Sequence, residues 1–423
     1  MLRTGAAPYL PLPIVGTDRR DLWLVFLLAL AVRLAFVLAA YPHVEPSFRT
    51  PDGYDAIAAN LAAGRGFRLE GSSLAAAERL PLYPTLLAAS FLAFGPSSLP
   101  WQAAQCLLGA LTCVFVLLVA RRWASRAGAL AATAVCVLHP TLVLYTARPL
   151  TETLYIFLLV LFVHALVTQR WLAAGGWLGL GLLVKSVALL HLVALPPLLP
   201  RATFRSLLRA GSVAVLVILP WVGWNVWAYG TPHLLTATGG RNLHQGLFIS
   251  RRVGWTTPVG ELNREADWAL WNDMRQARVA WTGDVVLDDA AAGRVAREWI
   301  GQHPDVATRL WARNLLLTWY LARTAGSMAL HAAVHGVLLL LALVGTVRLF
   351  RTPGVRDLAV ALALIVGAYT AVHAVIKPGI RYILPAVPVA AMLAAAAFPG
   401  ARRSALADPA GAVVGEPGRG GDG

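Results

Sequence analysis

The chain has 423 residues, of which 58% are hydrophobic and only 13% charged, with a mean hydropathy of +0.63. Soluble globular chains carry about 25% charged and about 45–50% apolar residues, so the composition disfavours an ordinary soluble enzyme, a disordered chain and a disulfide-framed domain. The net charge of +15 and a pI near 10.6 would point to nucleic acid in a soluble protein. In a membrane protein the same excess is expected from arginine gathered on one side. Only Lys185 and Lys377 are lysines, a skew that reads as GC-rich coding.

A membrane-crossing helix needs about 20 mostly apolar residues. In chain order the apolar runs predict ten spans, at 22–41, 100–120, 127–145, 153–169, 172–185, 186–200, 210–228, 330–349, 357–375 and 382–398. The first follows a stretch broken by Pro8, Pro11 and Pro13 and has no small-residue cleavage site, so it reads as a retained anchor. The pair 172–200 is split at Lys185-Ser186, since one long span there would invert everything downstream. With residues 1–21 on the cytoplasmic side, that side holds Arg19 and Arg20, Arg121, Arg122 and Arg126, Arg170, Arg201, Arg205 and Arg209, Arg348, Arg351 and Arg356. Every short loop there is basic, as the positive-inside rule requires.

The opposite side receives two long segments. The loop 42–99 holds a helix-like stretch at 52–63 and an apolar stretch at 81–94, too short to span and expected at the interface. The loop 229–329 is rich in tryptophan, and its stretch 304–322 reads as an amphipathic helix on the membrane anchored by Trp311 and Trp319. A membrane module 22–228, the outer region 229–329, the spans within 330–398 and a disordered cytoplasmic tail 399–423 complete the division. The fold class is therefore an all-α polytopic membrane protein. Gly175-Gly176 and Gly179-x-Gly181 read as close helix packing and not as a phosphate cradle.

The informative polar residues stand at the outer membrane face. They are Asp52, Asp55, Glu78 and Arg79 in the first outer loop, then Arg148 and Glu152, Lys185, and Lys377 with Arg381. Ionisable groups at that depth are costly and are functional candidates by default. Carboxylates suit general-base work on a hydroxyl or amine. Arginine and lysine suit a phosphate, through charge-assisted hydrogen bonds. Together they suggest a lipid-linked phosphate substrate.

Pro51-Asp52-Gly53-Tyr54-Asp55 through Asn60-Leu61 and Gly64-Arg65-Gly66-Phe67 resembles the first outer loop of the GT-C superfamily of integral membrane glycosyltransferases. The branch is the dolichyl-phosphate-mannose protein mannosyltransferase and lipid A aminoarabinose transferase type. Arg79-Leu80-Pro81-Leu82-Tyr83-Pro84, the Arg148-to-Tyr155 segment, Leu182-Leu183-Val184-Lys185, Leu219-Pro220-Trp221 and Arg381-Tyr382-Ile383-Leu384-Pro385 resemble further elements of that family, in order. Two departures are Leu80, where proline is common, and the compact Asp52-Gly53-Tyr54 spacing, which leaves Asp52 and Asp55 as rivals for one position.

The resemblance implies transfer of a sugar from a polyprenyl-phosphate donor to a lipid, protein or glycan acceptor on the extracytoplasmic side, with inversion. It makes Asp52 the general base, and gives Glu152 the acceptor or a cation to hold. It assigns Arg79, Lys185, Lys377 and Arg381 to the donor phosphate, with Tyr54, Asp55, Tyr83, Arg148 and Tyr382 as further substrate contacts. No cofactor is called for with certainty; a divalent cation stays open. A lipid donor agrees with the lack of a nucleotide-binding glycine turn, nucleic acid is not expected as a partner, and the bacterial plasma membrane is the expected location.

Plainer roles compete. Asp52 could cap the helix at 52–63, Asp55 and Glu152 could serve helix dipoles, Arg79, Arg148, Lys377 and Arg381 could be lipid anchors, and Lys185 could snorkel from its turn. His139 and His164 read as packed helix residues, and Cys106, Cys113 and Cys136 as small core hydrophobes. A transporter or flippase is the competing function; repeated halves and broken midplane helices would mark it. A non-catalytic assembly subunit is the third.

Overall fold

The computed structural model of the chain describes residues 17–44, 52–69, 78–230 and 236–398. The expected tail at 399–423, most of the N-terminal segment, and parts of the first outer loop lie outside the described residues. Helices run in the order α1 (Arg19–Val44), α2 (Tyr54–Ala62), α3 (Leu82–Phe94), α4 (Leu99–Ala120), α5 (Arg126–Leu138), α6 (Pro140–Thr146), α7 (Glu152–Val167) and α8 (Trp171–Leu182). After a 3-10 segment, Ser186–Ala194, come α9 (Leu195–Leu198) and α10 (Phe204–Tyr229), then the helices α11 (Gly239–Arg252), α12 (Leu262–Gln276), α13 (Val285–Gln302) and α14 (Pro304–Leu317). The chain closes with α15 (Ala325–Phe350), α16 (Arg356–Val375), α17 (Ile380–Ile383) and α18 (Ala386–Ala394).

The chain is all-helical and polytopic. Among the described residues, five helices are long and apolar enough to cross a membrane, α1, α4, α10, α15 and α16, and α5 with α6 forms a sixth candidate bent by 52°. The other four expected spans are shorter apolar elements: α7, α8, Ser186–Arg201 and Ala386–Ala397. A 16-residue helix such as α7 rises about 24 Å, less than the roughly 30 Å hydrocarbon thickness. It is sheathed instead by its neighbours: Tyr155, Leu159 and Val163 are fully buried in the core it shares with α4, α8 and α18. By contrast α10 and α15 turn Leu216, Trp227, Leu340 and Leu343 outward, as helices facing lipid do.

The expected break at 172–200 is present. α8 ends at Leu182 and the chain resumes as a 3-10 helix at Ser186, with Lys185 extended between them. The glycine reading also holds, because a Cβ at Gly175 would collide with the Ala210 carbonyl of α10. The bend between α5 and α6 has a local cause. Pro140 has no N–H to offer the Cys136 carbonyl. The buried Arg33 of α1 covers that gap, donating from Nη2 to Cys136 O at 3.0 Å and from Nη1 to Val137 O at 3.4 Å.

Two expectations shift. The helix predicted at 52–63 begins at Tyr54, with Gly53 at φ 69° as its N-cap, so Asp52 stands outside the helix and does not cap it. The helix predicted at 304–322 ends at Leu317, and Trp319 is no outward anchor. It is buried, with its ring edge against His335 at 5.5 Å. The reason is that the chain turns inward after Leu317 to seat the 318–321 turn under Gly379 and Ile380, through Thr318 Oγ1 and Leu321 O.

Candidate active site

Four segments far apart in sequence meet at one end of the bundle. Asp52 lies in the turn before α2. Glu152 is the first residue of α7, where a carboxylate suits the helix dipole. Lys185 occupies the extended link after α8. Arg381 sits on α17, held where the Ile380 N–H donates to Leu321 O at 3.1 Å. The start of α3 is tied to the third segment, since the Leu82 N–H donates to Leu183 O at 3.0 Å.

Arg381 is the centre of the arrangement. Its Nη2 donates to Asp52 Oδ2 at 2.7 Å and its Nε to Glu152 Oε1 at 2.7 Å. Lys185 Nζ donates to the same Glu152 oxygen at 2.9 Å. Arg79 approaches from the other side of Asp52: Nε donates to the Asp52 carbonyl at 2.6 Å, and Nη2 lies 3.9 Å from Oδ1. Two carboxylates and three cations thus share one site. Glu152 is fully buried while Asp52 keeps 27% of its side chain exposed, so the first is a fixture and the second is reachable. The other Glu152 oxygen, Oε2, is buried with no hydrogen-bond partner among the described residues, as are the Thr151 and Thr153 hydroxyls beside it. Burial works to raise the Asp52 carboxyl, but Arg381 and then Arg79 outweigh it and hold it below the ordinary aspartate value of 3.8.

Aromatic rings form the floor. Arg79 lies 5.5 Å over the Tyr54 ring, Tyr54 meets Tyr83 edge-on at 5.2 Å, and the Tyr83 hydroxyl accepts from Trp101 Nε1 at 2.8 Å. Tyr83 is therefore a buried support and not a surface that faces a ligand. Asp55 is buried on α2, and Asp52 is the aspartate that accepts from Arg381. Lys377 also stands apart. Its Nζ donates to Gln245 Oε1 at 2.6 Å, 5.8 Å over the Tyr382 ring, and it joins α11 to the last turn. Tyr382 stacks on His373 at 5.4 Å. Arg148 is exposed, and its backbone carbonyl, not its guanidinium, enters the network by accepting from Gln105 Nε2 at 2.8 Å.

One participant, Gln245, was not singled out by the sequence; it bridges Lys377 to Asp267, donating to Oδ1 at 2.5 Å. Arg241, in the Thr238-to-Leu243 stretch that also resembles the GT-C superfamily, pairs with Glu78 at 3.3 Å and with Asp267 at 3.1 Å. Gln245 carries no local signal beyond its i,i+4 spacing from Arg241 on one amphipathic helix. No group of three or more His, Cys, Asp or Glu side chains that could hold a metal ion is found among the described residues.

No family model matches the chain, and no curated protein does. Among solved structures it is similar to ArnT from Cupriavidus metallidurans bound to undecaprenyl phosphate, with 17% identity, a TM-score of 0.41, and coverage of 82% of this chain and 77% of that one. It is likewise similar to the same protein in the apo state, with 17% identity, a TM-score of 0.39, and coverage of 81% and 77%.

Proposed function

We propose that the chain is a GT-C-type glycosyltransferase that moves a sugar from a polyprenyl-phosphate donor to an acceptor on the extracytoplasmic face. The observation that carries the reading is the Asp52–Arg381–Glu152–Lys185 cluster at the mouth of an integral membrane bundle. It offers a reachable carboxylate beside cations spaced to receive a phosphate. The ordered motifs of the sequence, which fall on these same residues, support it.

In the transfer, an acceptor hydroxyl attacks the anomeric carbon. Asp52 takes its proton, a bond forms from the acceptor oxygen to carbon, and the carbon–oxygen bond to phosphate breaks. The leaving phosphate keeps the bonding electrons, and Arg381 and Lys185 meet its charge, with Arg79 beside them. Before the donor arrives, Arg381 is occupied by Asp52 and Glu152. A phosphate that competes for Arg381 loosens its hold on Asp52 and makes that carboxylate a better base. Glu152, fully buried, stays to hold the cations in place. The acceptor's lipid, protein or glycan nature, the sugar and the bacterial plasma-membrane location belong to the same proposal.

The test is donor consumption. Membranes carrying the chain, or its Asp52→Asn variant, are incubated with radiolabelled polyprenyl-phosphate sugars and acceptor extract. Label passing to an acceptor in the first and not in the second is the expected result. Full transfer by Asp52→Asn would remove Asp52 as the base, and an absence of transfer from every donor by folded protein would sink the transferase reading. Reporter fusions at residues 125, 205 and 265 test the sidedness; one side for all three would overturn it.

A further inference from the structure

α11 has two working rows. Arg241 reaches the charged cluster through Glu78, which pairs with Arg79 at 3.6 Å, and Gln245 on the same row binds Lys377. His244, Phe248, Arg251 and Arg252, at the spacing of a neighbouring face, line a groove of about 570 Å³ between α11, α12 and α13. Small-molecule sites occupy about 300–1,000 Å³, so the groove has room for a short chain of sugar rings. One helix therefore forms both a wall of the groove and a side of the candidate active site.

The lining is unusual for a packing gap. Asp273 and Gln276 of α12 and Glu298 and Gln302 of α13 join Arg251 and Arg252 of α11. The formal charges of these arginines and carboxylates cancel, which disfavours a strongly charged ligand. Amides, carboxylates and guanidinium groups each present paired donors or acceptors, the pattern that vicinal hydroxyls on a sugar ring require. The Trp299 ring is already engaged, with Arg251 4.7 Å over it and His303 stacked on it at 4.9 Å. Recognition there runs through hydrogen bonds. His244 adds an unmet one: Nε2 pairs with Asp273 Oδ2 at 2.8 Å, while Nδ1 is buried without a partner among the described residues. Burial keeps this imidazole below its ordinary value, against the pull of Asp273. The neutral ring that donates from Nε2 leaves Nδ1 as an acceptor for a hydroxyl proton.

We propose that this groove is a saccharide subsite that holds a short neutral oligosaccharide, the acceptor end of the transfer; the assignment as acceptor rests on the function proposed above, whereas the binding itself does not. The test uses the full chain in detergent micelles, with saturation-transfer NMR on neutral gluco-, manno- and galacto-oligosaccharides and, in parallel, on mixed peptides. Sugar binding by the wild type is expected, and Gln276→Ala with Gln302→Ala weakens it about tenfold, the equivalent of lost hydrogen bonds. Both glutamines are exposed on helix surfaces, and the variant's melting temperature checks that the fold is kept. No sugar binding, equal affinity in the variant, or binding of peptides instead would each overturn the proposal. Sugar binding without donor consumption would leave the groove standing and remove the transferase reading. Donor consumption with an unchanged acceptor KM in the variant would do the reverse.

Discussion

Two of the places where the bundle buries charge hold it differently. Around Arg33 a lone guanidinium is held by the carbonyls of Ala29, Cys136 and Val137, with the Cys113 sulfur 3.7 Å from Nη2, while its Nε is buried without a partner among the described residues. The Cys136 and Val137 contacts cover backbone beside the Pro140 break, and a Cβ at Gly109 would press on the same guanidinium. At the mouth of the bundle Arg381 is satisfied by two carboxylates, one of them partly exposed, and Glu152 keeps an unpaired oxygen. Carbonyls are permanent parts of the scaffold. Carboxylate partners can be exchanged for a phosphate. The first arrangement closes a structure, and in the proposed function the second is where the donor phosphate binds.

Substitutions that strike one place and spare the other sharpen this contrast. The largest expected effect is on chemistry: Asp52→Asn lowers transfer by about 10²–10⁴-fold, with the melting temperature held, as measured by donor consumption and thermal unfolding in parallel. Next is Arg33→Met, which leaves buried carbonyls unmet and costs about 1–3 kcal/mol for each, read in the unfolding midpoint while transfer per folded molecule is kept. Adding Pro140→Ala to Arg33→Met returns an N–H to Cys136 O and recovers part of the loss; a double-mutant cycle measures the coupling. If Arg33→Met abolished transfer in protein of unchanged stability, the division into scaffold and site would fail.

A smaller effect separates the two lysines. Lys185→Met raises the donor KM by about 10–100-fold, as expected for a lost charge-assisted hydrogen bond, whereas Lys377→Met, which contacts Gln245 instead of the cluster, raises it by less. Equal effects would return Lys377 to the phosphate. The smallest is a shift in pH profile. Asp52 is held below 3.8 in the folded chain, so its charged form persists above that value and is lost only as pH falls through the lower folded pKa. The acid limb of kcat/KM, which reports free enzyme, therefore lies below 3.8. The limb of kcat lies higher, because bound phosphate draws Arg381 away from Asp52. Coincident limbs would mean that the Asp52–Arg381 pair survives donor binding.

Much of the candidate site was legible because its residues break an apolar pattern. Asp52, Arg79, Glu152, Lys185 and Arg381 each stand beside apolar runs at an expected membrane face, where a charge is costly. Arg33 breaks the pattern too, but within a span, and its partner is a missing N–H at Pro140 that no spacing rule connects across more than a hundred residues. Lys377 and Arg148 carried the same sequence signal as Arg381, yet one bonds Gln245 and the other points out to exposure. Charge at a boundary says that a residue needs a partner, not which partner it finds.

By itself the sequence determined the helical class, the ten apolar elements and the break at Lys185, because these follow from transfer free energies along the chain. Tertiary structure decided which of those elements are long enough to cross unaided, which aspartate joins Arg381, and that α11 serves two faces. Those outcomes depend on distances between segments that only packing sets: Gly246 lets α11 lie against the Ile376 carbonyl, and that approach brings Gln245 within 2.6 Å of Lys377 while turning His244 and Arg251 toward the groove.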